Sequence, residues 1–471
     1  MSQSTITHGS SKDVFIHAER IEHLLNISAK ADSVRVRDIL AKARELKGLD
    51  LEEVAVLTSV SEPDLISEMF ATARAVKNEI YGTRLVLFAP LYISNLCVNE
   101  CQYCAFRSKN KEVTRRALTQ EEIATETRIL VEQGHKRVLL VAGESNRDKD
   151  LDYILDAIDT VYNTKSGHGE IRRINVNIAP LSVEAFKRLK AAQIGTYQVF
   201  QETYHRPTYQ EVHVRGPKRD YDWRITAPDR AMEAGIDDIG IGALFGLTDW
   251  RFEMLGIMQH IRHLESKFGV GPHTISVPRL EPATGSELAG NPPFCVSDTD
   301  FQKIVAIFRM AVPYTGIIMS TRETPDMRRA TLALGVSQIS AGSRTNPGGY
   351  AESEQACSSQ FSLGDHRLLD EVIRDVAELG YIPSFCTACY RLGRTGQDFM
   401  DLAKPGEIKK HCEPNALSTF QEYLLDYASP ETRRAGEARI QTTLDEMDPA
   451  IRKIADRLLA RVRADKRDVF V

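Results

Sequence analysis

The sequence predicts an α/β protein, a (β/α)8 TIM-type barrel with helices before it and a mostly helical module after it. Eight short apolar runs rich in β-branched residues lie between residues 84 and 342, amphipathic stretches separate most of them, and the alternation stops beyond Gly349. Continuous apolar strands that alternate with helices are typical of a parallel sheet with helices on its outer side. Eight such units fit a closed barrel of about 250 residues. A doubly wound sheet is the alternative that this pattern leaves open.

The chain divides into three predicted parts. Residues 1–82 carry apolar side chains at helical spacing, such as Ile21, Leu24 and Leu25, and are expected to form an N-terminal helical segment. Residues 83–349 form the predicted barrel, and residues 350–471 a separate C-terminal module. The predicted barrel strands are 84–90, 137–143, 173–180, 196–202, 238–245, 273–278, 315–320 and 335–342. Amphipathic stretches between them include 119–136, 181–193 and 299–312.

The composition is that of a soluble globular protein. Of 471 residues, 42% are hydrophobic and 27% charged, and the net charge is −5, so nucleic acid is not an expected partner. The first 15 residues lack an apolar stretch followed by a cleavage site, and nowhere do 18 apolar residues run together. We therefore expect neither secretion nor a membrane span. Eight cysteines, most of them in two tight clusters, suit metal or redox chemistry in a reducing compartment, so a cytoplasmic protein is expected.

The first cysteine cluster, CVNECQYCAF (97–106), follows the first predicted strand. Active sites of such barrels lie at the C-terminal ends of their strands. A structural zinc site needs four ligands, and Cys97, Cys101 and Cys104 have no neighbouring histidine to complete one. Thiolates also bind iron-sulfur clusters, and three of them leave one iron of a cluster with an open position. Three buried cysteines without a metal are the alternative.

The spacing C-x3-C-x2-C, with Tyr103 just before the last cysteine, resembles that of the radical S-adenosylmethionine (SAM) enzymes. The resemblance implies a 4Fe-4S cluster on Cys97, Cys101 and Cys104 whose open iron binds the amino and carboxylate groups of SAM. It also implies that an electron from the cluster cleaves SAM to a 5'-deoxyadenosyl radical. These three cysteines are then the catalytic residues, and Tyr103 is a cofactor-binding residue.

Two strand ends supply further candidate contacts for SAM. Gly143 and Glu144 follow the second predicted strand and resemble the glycine-glutamate segment with which the family meets the SAM amino group. Glu202 ends the fourth strand, where a ribose or an amino group could be held.

A second set of cysteines, Cys386, Cys389 and Cys412, lies in the C-terminal module. A zinc ribbon with His411 as the fourth ligand is one interpretation. Adjacent residues such as His411 and Cys412 rarely point at one metal, however. We therefore predict a second cluster with an open iron, which makes residues 350–471 a C-terminal iron-sulfur domain.

Together with both cysteine sets, the segments 201–209, 271–279 and 340–350 resemble the tyrosine lyases that mature FeFe-hydrogenase, within the radical SAM family. The resemblance implies cleavage of the Cα–Cβ bond of L-tyrosine to p-cresol and dehydroglycine. It further implies conversion of dehydroglycine to carbon monoxide and cyanide at the second cluster, and release of an iron-carbonyl-cyanide precursor that carries cysteine. The implied cofactors are SAM and two 4Fe-4S clusters, the C-terminal one with an additional labile iron. The implied partners are tyrosine, cysteine, an electron donor such as flavodoxin or ferredoxin, and other maturation proteins.

In this family a histidine is the protein ligand of the labile iron, and we assign that role to His273. It opens the sixth predicted strand, so it is expected to face the bottom of the barrel, away from SAM. A structural core histidine bonded to a backbone carbonyl is the alternative.

The carboxylate of tyrosine needs a clamp at the SAM end of the barrel. Ser320 and Arg322 follow the seventh predicted strand, and a guanidinium can hold a carboxylate through two parallel hydrogen bonds. A surface or helix-start arginine that makes only a salt bridge is the alternative.

Two other functions fit parts of this pattern. One is the tyrosine lyase of thiamine biosynthesis, 2-iminoacetate synthase, which releases dehydroglycine and does not need the C-terminal cysteines. The other is an iron-sulfur scaffold without catalysis, in which the open iron and Tyr103 would have no purpose. Cys295 and Cys357 have no partners at ligand spacing, and we expect both to be structural or incidental.

Overall fold

The computed structural model describes residues 15–29, 32–145, 150–352, 359–403 and 408–471. Among these residues, no helix has the length and apolar character needed to cross a membrane. The strands of this part of the chain are β1 (Arg84–Ser94), β2 (Glu100–Cys101), β3 (Arg137–Ala142), β4 (Lys165–Ser166), β5 (Gly169–Glu170), β6 (Arg173–Asn177), β7 (Tyr197–Gln198), β8 (His213–Arg215), β9 (Ile239–Gly242), β10 (Thr274–Ser276), β11 (Gly316–Met319), β12 (Gln338–Ser340) and β13 (Ile382–Ser384).

Eight of the described strands form a closed parallel barrel, in the order β1, β3, β6, β7, β9, β10, β11 and β12, and β12 pairs with β1 to complete the circle. Each of the eight predicted strands overlaps one of them. The predicted TIM-type barrel is therefore confirmed, and the doubly wound sheet is wrong, because an open sheet would leave β1 and β12 unpaired.

Helices cover the outside of the barrel and both of its flanks. In the described residues they are α1 (Ala18–Ile27), α2 (Ser33–Ala43), α3 (Leu51–Ser59), α4 (Pro63–Tyr81), α5 (Gln120–Glu132), α6 (Leu151–Asn163), α7 (Val183–Ala191), α8 (Arg206–Val212), α9 (Tyr221–Ile225), α10 (Ala227–Glu233), α11 (Trp250–Phe268), α12 (Glu287–Gly290), α13 (Asp298–Ala311), α14 (Pro325–Leu332), α15 (Leu369–Glu378), α16 (Ala388–Arg391), α17 (Gly396–Ala403), α18 (Lys409–Asp426), α19 (Pro430–Glu446) and α20 (Pro449–Arg463).

Local sequence signals define these helices well. Thr119 caps α5, and its capping box with Glu122 satisfies two backbone N–H groups at the start of the helix. The N-terminal helices pack against the barrel helices, α4 against α13, and α1 and α3 against α11. The apolar side chains at helical spacing before residue 82 therefore join the core of the barrel.

The sheet contains one strand that the sequence pattern did not indicate. β13 is parallel to the start of β1, with Leu85 opposite Pro383. A proline within a short apolar run argues against a strand except at an edge, and β13 is an edge strand, last in the order of the sheet. The chain beyond the predicted boundary at residue 349 thus contributes to the sheet, and α18 packs against β13.

Candidate active site

The first cysteine triad lies in the loop that follows β1. Cys101 is part of β2, which pairs antiparallel with β8, and Cys104 N–H donates to the Cys101 carbonyl at 3.2 Å. The loop is tied to the end of β3, because Val98 N–H donates to the carbonyl of Glu144 at 3.0 Å. All three thiols line a cavity inside the C-terminal end of the barrel, together with Tyr103.

Gly143 allows this loop to approach β3. Its N–H donates to the Ser94 carbonyl at 2.8 Å, and a Cβ at this position would lie 2.4 Å from the carbonyl oxygen of Leu96. Only glycine fits without displacing the backbone next to Cys97. The predicted glycine-glutamate segment therefore has a structural reason, in addition to its predicted contact with SAM.

Tyr103 is held by a buried hydrogen-bond chain. The Tyr103 hydroxyl lies 2.8 Å from Nε2 of His213, and Nδ1 of His213 lies 2.7 Å from the Tyr209 carbonyl. Because a carbonyl only accepts, Nδ1 carries the proton and the Tyr103 hydroxyl donates to Nε2. The chain fixes the tyrosine ring beside Cys104, at the wall of the cavity.

The three thiols of the first triad are buried or half-buried, and their pKa values lie above the usual value for cysteine. Burial, together with Glu144 and Cys104, raises the pKa of Cys97 to about 11, and burial also raises the pKa values of Cys101 and Cys104. Among the described residues, no group of three Cys, His, Asp or Glu side chains is arranged to hold one metal ion. A cluster does not need such convergence, since each thiolate binds a different iron.

Glu144 and Glu202 both line the cavity, and they share two cations that the sequence did not reveal. Lys218 Nζ lies 2.6 Å from Glu202 Oε1, and Arg224 Nη1 lies 2.9 Å from Glu144 Oε1. Burial opposes ionisation of Glu144, but Arg224 and Lys218 outweigh it and hold the pKa of Glu144 below its usual value. Asn99 also donates to Glu144, at 3.0 Å.

The backbone at Glu202 is strained. Its φ of 71° lies in the left-handed region, which residues other than glycine rarely adopt and which is enriched at ligand sites. Lys218 and Arg224 lie in a 3-10 turn and a short helix between β7 and β9, with no spacing motif to identify them. The sequence offers one indirect signal for such cations: two acidic residues end barrel strands, and buried carboxylates need cations nearby.

Ser320 and Arg322 line the same cavity as the cysteine triad. The Arg322 guanidinium stacks 3.3 Å from the centre of the Phe361 ring, and Arg322 N–H donates to Ser320 Oγ at 3.3 Å. Burial lowers the pKa of Arg322. The described residues supply no carboxylate within 4 Å of its guanidinium, so the salt-bridge alternative has no partner in this part of the chain.

The second triad lies at the opposite end of the barrel. Cys386 follows β13, Cys389 is in α16 and Cys412 is in α18. Together they line a pocket beneath the starts of the barrel strands. A hydrogen bond between Cys389 and Cys412 raises the pKa of the former and lowers that of the latter, because the two buried thiols share a proton. His411 is not among the residues that line this pocket, so the pocket gives the zinc-ribbon interpretation no support.

His273 lines the pocket of the second triad, as predicted from its position before β10. Its Nδ1 lies 3.6 Å from Oδ1 of Asp238 and makes no hydrogen bond within the described residues. Burial, aided by three nearby guanidinium groups, lowers the pKa of His273. The neutral ring that results is the form that binds metals. The backbone-bonded core histidine is therefore not supported at Nδ1.

The pocket of the second triad contains several buried polar atoms without hydrogen-bond partners in the described residues. They are Arg84 Nε, Arg137 Nε, His273 Nδ1, Thr387 Oγ1 and Arg394 Nε. Such atoms are costly unless a ligand satisfies them. The thiols and these atoms together fit an iron-sulfur cluster with a polar ligand beside it. Of the remaining cysteines, Cys295 is exposed and Cys357 lies outside the described residues.

Two family models match the chain. Residues 91–256 match the Radical SAM superfamily, and residues 276–382 match the Biotin and Thiamin Synthesis associated domain. The first range contains Cys97, Cys101 and Cys104. The second ends before Cys386, so the second triad lies beyond both models.

Similar proteins include two solved structures and one curated relative. The structure "Crystal structure of HydG: A maturase of the [FeFe]-hydrogenase" is 51% identical with a TM-score of 0.94 and covers 97% of this chain and 100% of that one. HydG from Carboxydothermus hydrogenoformans is 43% identical with a TM-score of 0.83, over 94% of this chain and 97% of that one. The 2-iminoacetate synthase of Escherichia coli (strain K12) is 31% identical over 76% of this chain and 92% of its own length. The chain therefore belongs to the radical SAM superfamily and, within it, to the HydG group of hydrogenase maturases.

Proposed function

We propose that this radical SAM enzyme cleaves L-tyrosine to p-cresol and dehydroglycine, and converts dehydroglycine to carbon monoxide and cyanide for an iron precursor of the FeFe-hydrogenase active site. The observation that carries the proposal is the pair of cysteine triads at opposite ends of one closed barrel. Two cysteine triads, each one ligand short of a full set for a 4Fe-4S cluster, suit two consecutive reactions on carbon atoms that come from one tyrosine.

In the proposed reaction, Cys97, Cys101 and Cys104 hold a 4Fe-4S cluster. With SAM bound, the cluster supplies the one-electron cleavage that generates the hydrogen-abstracting radical. Tyr103, Gly143, Glu144 and Glu202 bound the SAM site, Lys218 and Arg224 hold the two glutamates in place through ion pairs, and the same cations keep the pKa of Glu144 below its usual value. Ser320 and Arg322 hold the tyrosine carboxylate, because the Arg322 guanidinium faces the cavity with no carboxylate partner among the described residues.

The second reaction needs no external oxidant or reductant. Dehydroglycine, HN=CH–COOH, can yield carbon monoxide, hydrogen cyanide and water with atoms and electrons balanced. The C=N unit becomes cyanide and the carboxyl carbon becomes carbon monoxide. In this proposal Cys386, Cys389 and Cys412 hold the second 4Fe-4S cluster, and His273 is the protein ligand of the additional labile iron that leaves with the product.

The assay is anaerobic incubation of reconstituted protein with SAM, a reductant and tyrosine, with p-cresol, carbon monoxide and cyanide measured together. The Cys386→Ala enzyme is expected to keep p-cresol formation and to lose carbon monoxide. The exposed Cys295 provides the matched control, since Cys295→Ala should change neither product. Loss of p-cresol in Cys386→Ala at unchanged occupancy of the first cluster would argue against two independent sites.

The 31% identity to 2-iminoacetate synthase favours one other function, release of dehydroglycine without further conversion. That enzyme would produce p-cresol and glyoxylate, the hydrolysis product of dehydroglycine, and no carbon monoxide. A non-catalytic scaffold would form no p-cresol, because it does not cleave SAM to 5'-deoxyadenosine. The same assay therefore separates all three functions.

The proposed activity also defines partners. SAM cleavage requires a one-electron donor such as flavodoxin or ferredoxin, and the product requires cysteine and other maturation proteins that accept it. These reactions belong in a reducing cytoplasm, and titration with reduced flavodoxin in place of a chemical reductant tests the donor.

A further inference from the structure

We propose that Arg84 and Arg137 form a binding site for a small carboxylate at the bottom of the barrel, beside Cys386, Cys389 and Cys412. The inference rests on the proposed function and deepens it, because it names the part of the chain that receives the two-carbon acid. No motif in the sequence pointed to these residues.

Three arginines begin three neighbouring strands of the barrel. Arg84 is the first residue of β1, Arg137 of β3 and Arg173 of β6, and these strands are adjacent in the sheet. All three line the pocket that contains the second triad. Residues at the N-terminal ends of barrel strands usually serve stability, but stability alone does not call for several buried cations in one pocket.

The three guanidinium groups are not equivalent. Arg173 is fully paired, with Nη2 2.8 Å from Asp238 Oδ2 and Nε donating to Asn175 at 3.0 Å. Arg137, 5% exposed, donates from Nη2 to the Cys386 carbonyl at 2.7 Å, and its Nε has no partner in the described residues.

Arg84 is the least satisfied of the three. Within the described residues its side chain makes no hydrogen bond or ion pair, and its nearest aromatic contact is the Tyr81 ring at 6.0 Å. Arg137, which is buried, and Arg84, which is half-buried, thus lack a carboxylate partner among the described residues.

A carboxylate is the ligand that fits these groups best. A guanidinium presents parallel N–H donors that match the two oxygens of a carboxylate, and a buried cation is stable only when paired. Asp238, the acidic side chain that lines the pocket, is already held by Arg173 and lies close to His273. Among the described residues no other carboxylate lines the pocket, so Arg84 and Arg137 are open to a carboxylate ligand.

The position explains what the site would do. Arg137 contacts the backbone of Cys386 directly, so a carboxylate on its free side lies next to the second triad. Under the proposed function, dehydroglycine is the small carboxylate that reaches this pocket. In that reaction its carboxyl group loses one oxygen atom as water. Two cations beside the carboxyl group would keep dehydroglycine bound until it reacts.

The test uses Arg84→Gln, because Arg84 makes no described hydrogen bond whose loss would disturb folding, with Arg84→Lys as the charge-keeping variant and Arg137→Gln as a second position. We expect an unchanged rate of p-cresol formation. Cyanide should fall at least tenfold in Arg84→Gln, with a matching rise in free glyoxylate. Arg84→Lys should recover part of the cyanide.

A binding measurement that does not depend on activity accompanies the assay. Calorimetric titration of the full-length, cluster-reconstituted protein with glyoxylate should give at least tenfold weaker binding in Arg84→Gln. Affinity in the matched control Cys295→Ala, at an exposed cysteine, should stay at the wild-type value. Iron and sulfide contents show whether the second cluster is retained.

Distinct results overturn distinct statements. Wild-type enzyme that makes no p-cresol contradicts the proposed function. If the wild-type enzyme makes p-cresol and cyanide, and both glutamine variants keep its ratio of cyanide to glyoxylate, the carboxylate site is wrong and the proposed function stands. The carboxylate site is also wrong if the variants lose iron in the same proportion as they lose cyanide formation and still bind glyoxylate as the wild type does. The arginines would then balance the charge of the cluster.

Discussion

Arg322 is half-buried, stacks on an aromatic ring and has a guanidinium that lacks an acidic partner in the described part of the chain. The stack on Phe361 at 3.3 Å fixes the plane of the guanidinium, so its N–H groups are oriented before any ligand binds. Such preorganisation reduces the entropy lost on binding. Arg322 is therefore suited to select an anionic group of a ligand.

Replacing Arg322 with lysine should weaken tyrosine binding without unfolding the protein. Lysine keeps the charge but loses the bidentate geometry and the flat stack on Phe361, at a cost of roughly 1.5–3 kcal/mol. We expect KM for tyrosine to rise at least tenfold in p-cresol assays, and the melting temperature to change little. Wild-type affinity for tyrosine in Arg322→Lys would remove the assignment.

Replacing His273 with alanine should separate the two reactions. The side chain lines the second pocket and is absent from the first, so p-cresol formation is expected to stay at the wild-type rate. Carbon monoxide should fall at least tenfold, because the additional iron loses its protein ligand. Measurement of both products from one reaction checks this, and an unchanged yield of carbon monoxide would exclude His273 as the ligand.

Among the elements, α11 begins with a buried acid. Glu253, in its first turn, accepts hydrogen bonds from Thr203 Oγ1 and, at 2.8 Å, from Tyr204 N–H. Burial outweighs these contacts and raises the pKa of Glu253 to about 8. The folded protein therefore binds a proton on Glu253 more tightly than the unfolded chain does, for which the value is about 4.3.

This raised pKa gives stability a pH dependence with a defined sign. The contribution of Glu253 is fully present below about pH 4.3 and is lost as pH rises to about 8, a few kcal/mol in all. Glu253→Gln mimics the protonated acid and should be the more stable protein at pH 8. Urea unfolding at pH 5 and pH 8 checks this, and equal slopes with pH in the two proteins would contradict it.

The sequence could predict most elements, and the reasons for its omissions are physical. Strands such as Arg137–Ala142 form long apolar runs between capped helices, so their pattern is local. β13 is three residues long and contains Pro383, and only its pairing with β1 makes it a strand. The cysteines were identified by spacing along the chain. Lys218, Arg224 and the two unpaired arginines required knowledge of which strand ends meet in space.

For the whole molecule, the barrel and the chain after it share one core. Arg172 Nη2 lies 2.6 Å from Glu422 Oε1, with both side chains buried, and residues of α15 and α18 belong to the same apolar cluster as the barrel strands. The domain boundary predicted at residue 349 therefore stays a prediction. In packing terms, the two sides of that boundary depend on each other.

A chain that ends at residue 349 is therefore expected not to fold stably. It would lose β13, uncover the part of the core that α15 and α18 cover, and lose the buried ion pair between Arg172 and Glu422. Soluble yield and the circular dichroism melting curve of the truncated chain check this. A truncated protein with a cooperative transition near that of the full chain would show that residues 1–349 form an independent domain.

The closure of the barrel has a consequence for protein synthesis. β1 pairs with β12 and β13, which leave the ribosome about 250 and 300 residues after it. At about 5–20 residues per second, the first barrel strand waits roughly 15–60 s with one edge unpaired. Exposed strand edges promote aggregation. Fewer unfinished chains present at once, as after a lower rate of initiation, should therefore raise the soluble yield, whereas slower elongation lengthens the exposure and should lower it.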